Sequence, residues 1–230
     1  VTGSEDEATD DQVPAWARRT TGESRLAATV AVLGIIVLQV LLPEQFSPQP
    51  WWLLPVLESL LLIVLFIGNP VRIDREERWL RMASLALTTV LGIATGWSVC
   101  RLVLALIDGR VGDDPAVLLG SGGAIWLTNV ITFALWYWEY DRGGPAARAH
   151  ARKPFPDFMF VQMQNPDLTD PTWEPEFADY LYLSFTNATA FSPTDVLPMS
   201  RPAKSTMMLE AAISVTTMSL VIARAVNVLR

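Results

Sequence analysis

Four ionisable residues, Glu58, Arg101, Glu210 and Arg224, fall inside long apolar stretches of this chain. A charge in hydrocarbon costs several kcal/mol unless it is paired or reaches water, so each calls for a partner or a cavity. Glu58 lies seven residues from the start of the second apolar run, and Arg101 six residues from the end of the third. At about 1.5 Å per residue, in antiparallel neighbours, both then sit roughly 10 Å below the same surface. Equal depth predicts an intramembrane ion pair. We read it as a buried salt bridge that fixes the register of two helices rather than as a proton or ion relay. Glu210 and Arg224 are 14 residues apart in one run, too far to meet, so their partners must come from other helices or another subunit. Asn129, Asn187 and Thr186 are polar groups of the kind that hydrogen-bond between helices in lipid.

Other chemistry is poorly provided for. One cysteine, Cys100, and one histidine, His150, do not supply the ligand sets of structural zinc, haem or a disulfide, so we expect no metal and no cofactor. Asp157, Asp167, Asp170, Glu174, Glu176 and Asp179 are scattered among prolines and read as a solvated loop rather than a divalent-cation site. With no nucleophile and base pairing and no phosphate-binding loop, an enzyme is not expected. A net charge of −7 argues against nucleic acid as a partner.

The elements that must position these groups are apolar runs. Half of the chain is apolar (51%), and it is collected into stretches rather than dispersed. Leu26 to Leu42, Trp51 to Ile67, Met82 to Ile107, Ala116 to Trp138 and Ala203 to Val228 are of the length, about 17 to 25 residues, that a bilayer asks of a helix. We therefore expect an all-α, polytopic membrane helix bundle of about five transmembrane helices. A shorter apolar segment, Phe177 to Phe191, suits a re-entrant or half-helix before the last span. Residues 1–25 read as a disordered acidic tail without a cleavable signal, 26–139 as a four-helix region, 140–176 as a Pro-rich polar loop and 177–230 as the half-helix and final span. Phe155, Phe158, Met159 and Phe160 suggest that the loop lies at the interface or folds onto the bundle. Gly92 and Gly96 form a GxxxG spacing suited to close packing within the chain.

Basic residues set the expected sidedness. Arg18, Arg19, Arg25, Arg72, Arg75, Arg78, Arg81, Arg142, Arg148, Arg152, Lys153, Arg201 and Lys204 share one side, against Arg110 and Arg230 on the other. The positive-inside bias then predicts a multi-pass protein of the cell inner (plasma) membrane with a cytoplasmic amino terminus.

From Asp179 the sequence resembles the pore module of two-helix potassium channels. Asp179, Tyr180, Tyr182, Ser184 and Phe185 fall on the pore helix, Thr189 on its terminal threonine, Asp195 on the aspartate after the filter, and Pro198 with Ser200 on the following turn. Met208-Leu209-Glu210-Ala211 and Val221-Ile222-Ala223-Arg224 match the start and end of the inner helix. The filter pattern Thr-Val-Gly-Tyr-Gly is replaced by Ala190-Phe191-Ser192-Pro193-Thr194. Without the glycines, aligned carbonyls are hard to form, and potassium selectivity of the usual kind is not expected. The stretch from about Trp136 also resembles an uncharacterised family of predicted bacterial integral membrane proteins, through Phe185-Thr186, Phe191 and Thr194-Asp195. The resemblance implies a channel-like protein, non-selective or non-conducting, that works as a homo-oligomer. The alternative is an accessory subunit of a larger membrane complex. A potassium-channel pore loop enters from outside, whereas the basic residues place this one in the cytoplasm; we follow the charges.

Overall fold

Helix formation follows the apolar runs closely. The computed structural model describes residues 13–69, 71–73, 77–108, 115–189 and 195–228. Eight α-helices lie among them: α1 (Leu26–Leu41), α2 (Leu53–Gly68), α3 (Arg78–Ile107), α4 (Pro115–Tyr140), α5 (Pro145–Ala149), α6 (Val161–Gln164), α7 (Phe177–Ala188) and α8 (Arg201–Val228). Two three-residue strands, β1 (Phe158–Phe160) and β2 (Val196–Pro198), pair antiparallel.

Three helices, α3, α4 and α8, are long and apolar enough to cross a bilayer, and α1 and α2 are apolar but have only 16 residues each. The outer surface is what lipid requires. Leu26, Val30, Val37, Ile63, Ile67 and Ile222 are each more than half exposed on the outward faces of α1, α2 and α8. Apolar cover of this extent would be untenable in water. The chain is an all-α membrane protein.

Contacts fix the direction of each helix. Gln39 meets Glu58 where α1 ends and α2 begins, and Ser24 bridges Arg72 at their other ends. Arg81 and Ser84 meet Glu139 while Thr95 meets Thr132 further along, so α3 and α4 are antiparallel. Tyr137 bonds Glu210, Asn129 bonds Ser214, and Gly122 lies against Val221, which sets α4 antiparallel to α8. A Cβ at Gly122 would stand 2.7 Å from Val221 Cγ2, so this helix pair needs a residue without a side chain there. The GxxxG pair divides instead: Gly92 faces Trp136, whereas the position of a Cβ at Gly96 is open.

One end of the bundle therefore gathers the starts of α1, α3, α7 and α8 and the ends of α2 and α4. The Pro-rich connection folds over this end as a cap. Phe158 and Phe160 insert into the main apolar core beside Tyr137, Phe177 and Tyr180, while Phe155 stays 84% exposed. The cap also takes in the preceding segment. Residues 13–25, expected in a disordered tail, are ordered, because Trp16 O accepts from the buried Arg142 and Glu23 is only 6% exposed.

Candidate functional site

The half-helix α7 begins behind Pro175 with a capping box, in which the Glu176 amide donates to Asp179 (2.8 Å) and the Glu176 side chain accepts in return. Its buried stripe is Tyr180, Leu183, Ser184 and Asn187, and its outward stripe is Ala178, Tyr182, Phe185, Thr186 and Thr189. The two stripes carry different chemistry.

On the inward side the stripe meets Glu210, which is fully buried on α8. Tyr137 Oη donates to Glu210 Oε2 (2.5 Å), as does Asn187 Nδ2 (2.6 Å). Asn187 Nδ2 also reaches the Met207 carbonyl at 2.9 Å. Ser184 Oγ lies within hydrogen-bond reach of both Glu210 Oε1 and the Val130 carbonyl, the latter at 2.6 Å. A serine hydroxyl has one proton and cannot donate to both. All the bonds are made at once when Glu210 carries a proton on Oε1 and donates it to Ser184 Oγ, which donates its own to Val130. Polar groups continue along the same face of α8, with Ser214 taking a bond from Asn129 (3.1 Å) and Thr217 buried one turn on.

On the outward side, Thr186 and Thr189 bond back to carbonyls of α7 itself. The Tyr182 hydroxyl lies in the neighbourhood of the Asp195 carboxylate, the residue that opens the return to β2. Both ends of segment 177–200 are held at the capped end. The Phe177 amide donates to Glu23 Oε1 at 2.5 Å, and β2 pairs with β1, whose Phe158 amide donates to Asp141. The two described roots of the segment thus lie at the same end of the bundle. Ala190, Phe191, Ser192, Pro193 and Thr194, the filter-equivalent residues, lie outside the described residues.

The Glu58 and Arg101 pair is not formed. Glu58 is fully buried, yet its Oε1 accepts from Gln39 Nε2 (3.1 Å) and its Oε2 has no hydrogen-bond partner. Arg101 donates instead to the Gln45 carbonyl (3.1 Å) in the α1–α2 turn. Equal depth along two helices does not set their rotation, and the face of α2 that bears Glu58 turns to α1. Arg224 is half-buried one turn from the far end of α8.

The cap holds a second polar network that no local sequence signal assembles. Asp141, fully buried, accepts from Tyr180 Oη (2.6 Å) and from the amides of Asp157 (2.7 Å) and Phe158 (3.3 Å). Arg148 donates to the carbonyls of Trp138 (2.6 Å) and Asp141 (3.1 Å) and stacks over Tyr180. Glu23 accepts from Trp138 Nε1 (2.6 Å), with Arg148 3.7 Å away. Burial pushes the Glu23 carboxyl up to about 7 despite that guanidinium. Two of the loop acids are engaged by protein donors: Asp170 accepts from nearby Thr172, and Glu174 accepts from Thr20 of the amino-terminal segment.

No family model, curated protein or solved structure matches the chain.

Proposed function

We propose that the chain is a five-span membrane protein with a re-entrant, channel-like half-helix that enters from the cytoplasmic side. Copies assembled about that half-helix pass cations with little selectivity. The observation that carries the reading is the division of α7 into two stripes. Its inward polar groups are spent within the chain, Ser184 and Asn187 on Glu210 and Tyr180 on Asp141, while Tyr182, Thr186 and Thr189 lie on the outward face, with Asp195, next in sequence to the filter-equivalent residues, near Tyr182. A single chain cannot enclose a pore around that face, so a homo-oligomer is required. Poor selectivity follows from the lost filter glycines.

Five crossings are supported by the alternation of helix ends, since α1 and α2 run antiparallel beside α3 even though each is only 16 residues long. A helix of that length covers about 24 Å, and local thinning or flanking polar residues can make up the difference. The cytoplasmic assignment of the capped end rests on its arginines and lysines.

The accessory-subunit reading is favoured by one feature, the exposure of Phe155 (84%) and Leu168 (88%) on the cap, where a different protein could dock. Reconstitution into liposomes separates the two. Channel function predicts comparable sodium and potassium flux that falls severalfold in Asp195→Asn, with one chain type in the particle. A tight bilayer in every cation, together with stable capture of a second protein, contradicts it.

A further inference from the structure

A cavity lies away from α7, at the capped end between α1, α2, α3 and α4. Its volume is about 580 Å³, within the roughly 300–1,000 Å³ usual for ligand pockets. The upper part is polar and basic: Arg25, Arg78, Arg81 and Arg152 line it, against Glu77 and Glu139. Seven residues along α1 from Arg25, or roughly 10 Å deeper, the lining becomes apolar, with Val32, Leu62, Leu65, Leu87 and Leu135. The wall includes exposed Arg78 and Met82, so the cavity meets the outer surface there.

Three buried polar atoms in this one lining have no hydrogen-bond partner: Arg25 Nε, Thr29 Oγ1 and Asn69 Oδ1. Arg25 is only 8% exposed and Asn69 only 2%. Buried polar groups are nearly always satisfied, so these three, shut in behind their neighbours, leave the polar end of the wall short of partners. Glu139 is the acid nearest to Arg25 in effect, but its oxygens are taken by Arg81 and Ser84. Arg25 is left as a donor and a positive charge at the boundary between the basic and apolar parts.

We infer that this cavity binds a single-tailed or single-inserted amphiphilic anion, its phosphate or carboxylate head at the arginine-lined end beside the Arg25 guanidinium and its hydrocarbon tail over Val32, Leu62 and Leu65. An anionic phospholipid of the surrounding leaflet and a free fatty acid share this chemistry.

The test is native mass spectrometry of the delipidated full chain, titrated separately with phosphatidylglycerol, phosphatidylcholine and oleate. One equivalent of an anionic species should be retained at concentrations where phosphatidylcholine is not. Retention of phosphatidylglycerol assigns the membrane as the source, and retention of oleate alone assigns a free amphiphile. Arg25→Gln should weaken retention at least tenfold by removing the charge. Leu62→Trp, which leaves every charge in place and fills the tail space, should do the same. Equal retention of phosphatidylcholine, retention of neither anion, or undiminished binding in both variants would overturn the inference and leave a water-filled vestibule.

Discussion

Glu210 has three side chains aimed at it, Tyr137, Ser184 and Asn187, and not one of them is a cation. The count of protons at Ser184 assigns the carboxyl its neutral form, and two measurements check it. Glu210→Gln reproduces the pattern, with the amide donating to Ser184 and its oxygen accepting from Tyr137 and Asn187, so its unfolding midpoint in detergent should stay near that of the parent. Glu210→Ala strands buried donors at about 1–3 kcal/mol each and should lower stability clearly. A protonated carboxyl band in the infrared spectrum should vanish in Glu210→Gln; equal damage from both substitutions and no such band would show an ionised group. Glu23 gives a pH dependence of opposite sense to the usual carboxylate. Its carboxyl stands near 7 when folded against an ordinary 4.5, so between those values the folded chain holds a proton that the unfolded chain has released. Stability is therefore fullest below about 4.5 and falls as pH rises towards about 7, by an amount on the order of 3 kcal/mol. Glu23→Gln should remove this slope, measured as the difference in unfolding midpoint between the two chains across pH. The sequence marks Glu210 as needing partners from other helices but cannot name them, because Tyr137 and Ser184 come from elements 73 and 26 residues away. Glu23 reads in the sequence as part of an acidic tail, and nothing local to it announces the Trp138 and Phe177 donors that bury it.

At the scale of elements, α7 is tied to α8 through Asn187 at two acceptors, the Met207 carbonyl and Glu210. Asn187→Ala removes both bonds and leaves those acceptors buried, and should destabilise the protein by roughly 2–4 kcal/mol. Hydrogen exchange should speed up most across residues 177–188; uniform acceleration over the whole bundle would mean that α7 is not a separately held unit. Helix positions are largely legible, since apolar runs bounded by prolines and charges leave little freedom: α1 starts at Leu26 and α7 at Phe177, as the runs begin. The third helix starts earlier than its run, at Arg78, because arginines at a helix end extend into the polar region without breaking the helix. The β1 and β2 pair is not legible, as strands of three residues carry no period. The expected Glu58 and Arg101 pair fails for a related reason: distance along a helix is written in the sequence, whereas the rotation that points Glu58 at Gln39 is decided by packing.

For the whole molecule, the capped end unites the starts of four helices, a strand pair and residues 13–25 of the amino-terminal segment. It also contains the mouth of the cavity at Arg78 and both roots of the α7 segment. The proposed topology puts all of these features on one face of the membrane, and the functional reading depends on that. A half-helix that enters and leaves on the basic side can present Asp195 and its neighbours to the interior, while a segment that crosses outright cannot. The direct test is thiol labelling with a membrane-impermeant maleimide, in a background with Cys100→Ser because Cys100 is exposed. Glu176→Cys and Met199→Cys sit at the two roots of the segment, and Glu44→Cys marks the far end. Labelling of the first two from the cytoplasmic side only, and of the third from the other side only, is the predicted result; modification of Glu176→Cys and Met199→Cys from opposite sides would contradict the re-entrant half-helix.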